Sequence, residues 1–310
     1  MRISLRYAGL AVPTLAAMLA LGARAEADPL KCQRTILKES AKFVQAKMKA
    51  LGKCEESKLK GQLPPLTDCH SAASTAIAAA EAAMKDKVEG TCGGGDKDCS
   101  TTGDNDSLAS IGWDIGTCPD FESLGCVNPI NDCDDIGTCL ACINEAAVDQ
   151  AIALYYGALA PSTPGDDLNK CQITIGKEAE TYLAKQSKAL QKCQDQRIKG
   201  VHGDVCPNPA ADPGTPSRKA FDAIDKAESK MWLKICKTCG GADRTCDGVG
   251  DFTAAQIGFS ASCPAVMAPG GASCAGVVTT VANIFSCVDC VDDFKAFCMD
   301  RLQVPRSPAT

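Results

Sequence analysis

Apolar residues recur at steps of three and four along two long stretches near the start of the chain, and again along two stretches in its second half. Ile36, Phe43, Val44, Met48 and Leu51 share one helical face, and Ile175, Tyr182, Leu183 and Leu190 repeat it. A second stripe, Ala73, Ile77, Ala80, Met84 and Val88, returns as Ala220, Ile224, Ala227, Met231 and Ile235. A third helix is expected to open at a hydroxyl residue able to cap free N–H groups, Thr138 or Ser286, and to continue through a C-x-x-C. No period-two alternation marks a strand, and the glycine-rich stretches 92–137 and 239–286 read as irregular or as short helices. The pattern predicts an all-α protein.

The same order of features appears twice. Cys32 to Cys54 spans 22 residues, as does Cys171 to Cys193, and Cys92–Cys99 and Cys239–Cys246 are both seven apart. Cys126, Cys139 and Cys142 are spaced 13 and three, like Cys274, Cys287 and Cys290. Ile111-Gly112-Trp113 before Cys118-Pro119 recurs as Ile257-Gly258-Phe259 before Cys263-Pro264. Self-similarity of this kind is a duplication. It divides the chain into a cysteine-rich helical repeat at 26–160, a proline-rich linker at 161–166, a second repeat at 167–305 and a tail at 306–310. The expected architecture is two tandem disulfide-stapled helical-bundle domains with irregular cysteine-rich loops. The second repeat differs mainly by a proline-rich insertion around 207–217.

The first 25 residues carry Arg2 and Arg6, then an apolar run to Leu21, then small residues Ala23 and Ala25, the layout of a secretory signal peptide cut near Ala25. Its removal takes Arg2, Arg6 and Arg24 from 32 cations and leaves all 38 acids, a formal charge of −9 where the whole chain has −6. So acidic a surface repels phosphate backbones, which argues against a nucleic-acid partner. No later apolar run reaches 18 residues, which argues against a membrane span. The expected destination is secreted or periplasmic, where thiols oxidise.

A helix joining Cys32 to Cys54 is about 33 Å long at ~1.5 Å per residue, too long for these two to bond when Cα atoms must lie within about 7 Å. Antiparallel first and second helices instead predict Cys54–Cys69 and Cys193–Cys206 as hairpin staples. Cys32 is expected to bond within the cluster of Cys92, Cys99, Cys139 and Cys142, and Cys171 within that of Cys239, Cys246, Cys287 and Cys290. Cys118–Cys126 and Cys263–Cys274 read as short-loop bonds. With 21 cysteines at least one thiol is left over, and Cys236 or Cys298 is the candidate, opening a route to a disulfide-linked dimer.

Little else has the spacing of chemistry. No C-x-x-C precedes a histidine, and no nucleophile elbow or zinc-protease motif is present. The only histidines, His70 and His202, do not align between repeats; a pocket joining either to acids would indicate a hydrolase. Asp243, Thr245, Asp247, Gly248 and Asp251 occupy positions 1, 3, 5, 6 and 9 of an EF-hand-like loop, making Asp243, Asp247 and Asp251 a weak calcium candidate. Ala254 stands where a bidentate glutamate is wanted, and a solvated turn is the plainer reading. Trp113 and Phe259 recur as an aromatic plug under the loops. Lysines and glutamates along the first helix read as its solvated face.

The run KCQ at 31–33, ALGKC at 50–54, IGW followed by CP at 111–119 and CLACINEAAVDQAI at 139–152 resembles a group of uncharacterised bacterial secreted cysteine-rich tandem-repeat proteins. The resemblance covers most of the chain after the leader and implies a bacterial source but no activity. The expectation is an exported, non-enzymatic, disulfide-rich binding or structural protein without cofactor, whose partner is a protein or small ligand. The alternative is a metal-binding or thiol-redox protein using the C-x-x-C clusters.

Overall fold

The computed structural model describes residues 28–101, 105–159, 162–268, 271–303 and 305; the leader and the 306–310 tail lie outside them. Six long helices dominate: α1 (Pro29–Leu59), α2 (Cys69–Cys92), α4 (Cys133–Tyr156), α5 (Asp167–Ile198), α6 (Pro216–Cys239) and α8 (Val281–Gln303). Two one-turn helices, α3 (Leu108–Ile111) and α7 (Ala254–Ile257), sit at the same point of each repeat, each ending on a left-handed glycine, Gly112 and Gly258. The strand pair β1 (Ser262–Cys263) and β2 (Gly276–Val277) is two residues long. The protein is all-α.

Local chemistry sets the helix starts. Side chains of Asp28, Asp68, Asp166 and Thr215 accept the first free N–H groups of α1, α2, α5 and α6. The third helix of each repeat begins five residues ahead of the expected Thr138 or Ser286. Asp132 accepts from Asp134 and Asp135 N–H, both acids favour the positive end of the helix dipole, and the extra turn buries Cys133, Ile136 and Gly137. Thr280 plays the same part before α8 by accepting from Asn283 N–H.

Helices α1 and α2 form an antiparallel hairpin closed at both ends, by Cys32–Cys92 and Cys54–Cys69, and α5 and α6 copy it with Cys171–Cys239 and Cys193–Cys206. The third helix packs on each hairpin. Asn144 donates to Ser40 across α4 and α1 at 2.8 Å, and Gln194 donates to Asp300 across α5 and α8 at 2.7 Å. The two repeats then meet through α1 on α5 and α4 on α8, leaving α2 and α6 on opposite flanks. Each repeat is long enough for a core of its own, yet the apolar stripes merge into one continuous core that includes Phe43, Trp113, Tyr155, Tyr182 and Val288.

Polar contacts cross the same seam. Arg34 of α1 pairs with Asp195 of α5 at 2.7 Å, which sets those helices antiparallel, and Tyr156 donates to Glu180 at 2.6 Å. Two glycines admit this approach: a Cβ on Gly176 would lie 2.2 Å from the Tyr156 ring, and one on Gly52 would lie 1.9 Å from the Glu180 carboxylate. Buried Lys295 of α8 reaches back to Glu122 and Gln150 of the first repeat.

The expected short-loop bonds Cys118–Cys126 and Cys263–Cys274 do not form. Loop cysteines bond instead to the C-x-x-C of the third helix, Cys118–Cys139 and Cys126–Cys142 in one repeat, Cys263–Cys287 and Cys274–Cys290 in the other. The reason is helical: residues i and i+3 project from one face a turn apart, so the passing loop is clasped at two points. Cys236 is not free either. It bonds Cys246, whereas the matching Cys99 bonds Cys133. By position, Cys236 corresponds to Glu89 and Cys133 to Val281, so the partner of the loop cysteine has moved from the third helix to the second. Ten bonds result, and Cys298 is the free thiol.

This exchange can be transplanted. Cys133→Val alone should strand Cys99 and lower stability by about 2–5 kcal/mol, the usual cost of a lost native bridge. Adding Glu89→Cys should recover ten bonds and most of the melting temperature. Mass mapping of the non-reduced double variant checks this, and a persistent Cys99 thiol would contradict it.

Candidate functional site

A concave surface of one dominant charge lies on the outer side of the α5–α6 hairpin. It is a groove of about 760 Å³ floored by Ala189, Ala220, Ala223 and Ala227. Lys185, Lys188 and Lys192 stand on the α5 rim, and Lys219, Lys226 and Lys230 on the α6 rim. Steps of three and four within α5, and of seven and four within α6, place each trio on one helix face. All six lysines are exposed, and none has an ion-pair partner among the described residues. The groove's only acid, Asp195, is already held by Arg34 at 2.7 Å and Lys199 at 2.5 Å. Aliphatic lysine stems extend the alanine floor while the ammonium heads stay in water.

Comparison of the repeats isolates what is special here. The floor alanines correspond to Ala50, Ala73, Ala76 and Ala80, so the floor is the same in both. On the rim, Lys188 and Lys192 correspond to Lys49 and Lys53, but Lys185, Lys219, Lys226 and Lys230 correspond to Ala46, Ala72, Ala79 and Ala83. The second repeat has the lysine rows and the first does not. Reading lysines on the first helices as a solvated face missed this; a residue-by-residue comparison of the two copies contains the signal.

Other candidates resolve differently. Asp243, Asp247 and Asp251 do converge, with carboxylate oxygens within 4.8 Å of one another. Each also accepts a loop N–H, from Thr245, Val249 and Gly248 respectively, which accounts for the convergence as turn structure. Ala254, at the twelfth position, is buried at the start of α7 and supplies no ligand. His202 lies beside Cys193 and Cys206, whose sulfurs are bonded to each other. His70 lies 3.8 Å from Asp149 in an open surface depression, but that carboxylate is the 2.9 Å partner of buried Lys47 and does not serve to orient an imidazole. Trp113 and Phe259 are both buried. No C-x-x-C bonds internally: all six sulfurs are tied to other segments, and none is left as a thiolate pair for a metal or for dithiol cycling.

Sequence reading gave no hint of the buried acids. Asp292 is fully buried and accepts from the Tyr155 hydroxyl across the seam; burial pushes its carboxyl well up. Burial likewise raises Asp289, Asp300 and Glu180 to about 7, and Asp106 to about 6. On α8, burial pulls the Lys295 ammonium down against the opposing pull of Glu122. Its Nζ also lies 5.1 Å from the Phe121 ring centre and 5.2 Å from that of Phe294. Asp292, Asp300 and Glu180 bond across helix contacts, and Lys295, Glu122 and Gln150 line a cavity of about 400 Å³ at the seam.

No family model, curated protein or solved structure matches the chain.

Two outcomes follow from the buried groups. The raised acids keep their protons in the fold after the unfolded chain has lost them near pH 4, so their stabilisation is full below that and is lost as pH rises towards about 7. Melting temperature should therefore fall between about pH 4.5 and pH 7.5. Asp300→Asn should narrow that fall by about 10 °C, since raising a carboxyl from 3.8 to about 7 is worth ~4 kcal/mol and each kcal/mol is ~2–4 °C in larger domains. An unchanged difference would mean that Asp300 ionises as easily folded as unfolded. Separately, burial and then Glu122 push the half-buried Cys298 thiol up, so iodoacetamide should label native protein slowly and the denatured, non-reduced chain once. Rapid native labelling at neutral pH would contradict this.

Proposed function

We propose that this chain is an exported, non-catalytic binding protein of an oxidising compartment, and that the α5–α6 groove of its second repeat is the binding surface. The observation that carries the reading is the set of six unpaired lysines ranged along an apolar floor on a chain of net charge −6. Where the rest of the surface repels anions, such a groove gathers and orients them. Ten disulfides fit a secreted or periplasmic setting, and no described helix is long and apolar enough to cross a membrane. The metal or thiol-redox alternative has no observation in its favour, since the C-x-x-C sulfurs are all bonded elsewhere.

Chemical-shift mapping with short polyglutamate, a generic anionic probe, tests the reading on the whole mature chain. Shifts should cluster on α5 and α6, saturate, and fade as salt is raised. Shifts scattered over the surface, or none, would sink it.

A further inference from the structure

We infer that the occupant of the α5–α6 groove is an acidic amphipathic helix, of about three turns, from a partner protein. This rests on the reading of the groove as an anion-binding surface and specifies what is bound there.

Charge distribution decides the class of occupant. A single-headed amphiphile such as a fatty acid asks for cations clustered at one end of an apolar slot. Here cations line both sides along the length: Lys185 to Lys192 spans about 10 Å of α5, and Lys219 to Lys230 about 16 Å of α6, at ~1.5 Å per residue. An occupant matched to two parallel cationic rows carries acids on both flanks of an apolar stripe. A helix with small or aliphatic residues facing down and glutamates or aspartates on either shoulder has that form.

The floor is also built for a helix. Ala189, Ala220 and Ala227 are buried where α5 meets α6 and Ala223 is exposed above them, so only small side chains separate the lysine rows and a third helix can seat between them. The hairpin's other side already receives such a helix, because α8 packs against both α5 and α6. The outer side offers a second seat of the same kind, with flanking charge selecting the partner as the charges beside a coiled-coil seam do. The first repeat retains the alanine floor without four of the lysines, and so supplies an internal control.

The test uses the full mature protein and a synthetic peptide of about four turns, with alanine and leucine on one face and glutamate on both flanks. The control peptide has the same composition scrambled so that no face is apolar. Binding is read by fluorescence anisotropy at two ionic strengths. The amphipathic peptide should bind one per chain, at least tenfold tighter than the scrambled one, and more weakly at the higher salt. Lys219→Ala, Lys226→Ala and Lys230→Ala together should weaken it at least tenfold; these are the residues the first repeat carries at those places, and alanine is the best helix former, so the fold is retained. Conversely, Ala72→Lys, Ala79→Lys and Ala83→Lys together should raise the stoichiometry to two.

Equal binding of both peptides, lost alike in the triple alanine variant, would overturn the helix assignment while leaving an anion-binding groove. Affinity unchanged by the triple alanine variant would overturn the groove itself. Displacement of the peptide by laurate at lower concentration would transfer the site to a single-headed amphiphile. A dimer that the triple alanine variant abolishes, without peptide binding, would assign the groove to a second copy of the chain.

Discussion

Everything on the second hairpin depends on the paired disulfides at its ends. Cys171–Cys239 and Cys193–Cys206 fix where α5 and α6 begin and end against each other, so neither helix can slip by a turn. A slip of one turn would carry Lys219, Lys226 and Lys230 about 5 Å along the groove relative to Lys185, Lys188 and Lys192. Long unpaired lysines repel one another and contribute nothing to holding the helices together. The covalent ends and the buried Met231 and Ile235 supply that cohesion, which frees the outer face to carry charge unfavourable for folding.

Between the repeats the cohesion is of another sort. Apolar stripes on α1, α4, α5 and α8 merge into a shared core, and polar groups trapped at the seam find partners across it: Tyr155 with Asp292, Tyr156 with Glu180, Lys295 with Glu122. Buried pairs of this kind add little net stability but penalise misdocking, because a mis-set interface leaves each group unsatisfied. Glu122 and its neighbour Ser123 both have positive φ, at 49° and 60°, and this local strain lies where the first repeat's loop reaches Lys295.

Much of this was legible in the residues. Helical stripes foretold which faces of α1, α2, α5 and α6 are buried, because burial at steps of three and four leaves a direct imprint on composition. Duplicate cysteine spacings foretold the hairpin staples, because a stiff helix excludes a bond between its own ends. Loop cysteines were illegible for the opposite reason: in a flexible segment, sequence distance says little about which sulfur is near, so Cys118 and Cys126 could equally bond each other or the turns of α4. The buried acids were hidden as well, since Asp292 and Asp300 stand in a run whose other acids are part-exposed. The lysine rows were visible all along, but only as a difference between copies.

The altered partner of the loop cysteine also redraws the covalent map. In the first repeat, Cys99–Cys133 straddles the loop and ties the segment just beyond the hairpin to the third helix. In the second, Cys236–Cys246 closes within the hairpin, and none of the ten bonds spans the stretch between Cys246 and Cys263. The cross-linked chain thus consists of four separate knots, residues 32–92, 99–142, 171–246 and 263–290, strung on a single backbone. One peptide-bond cut between Cys246 and Cys263 would leave the lysine-bearing hairpin attached to α8 by packing alone, whereas a cut between Cys99 and Cys118 would leave the first repeat in one covalent piece.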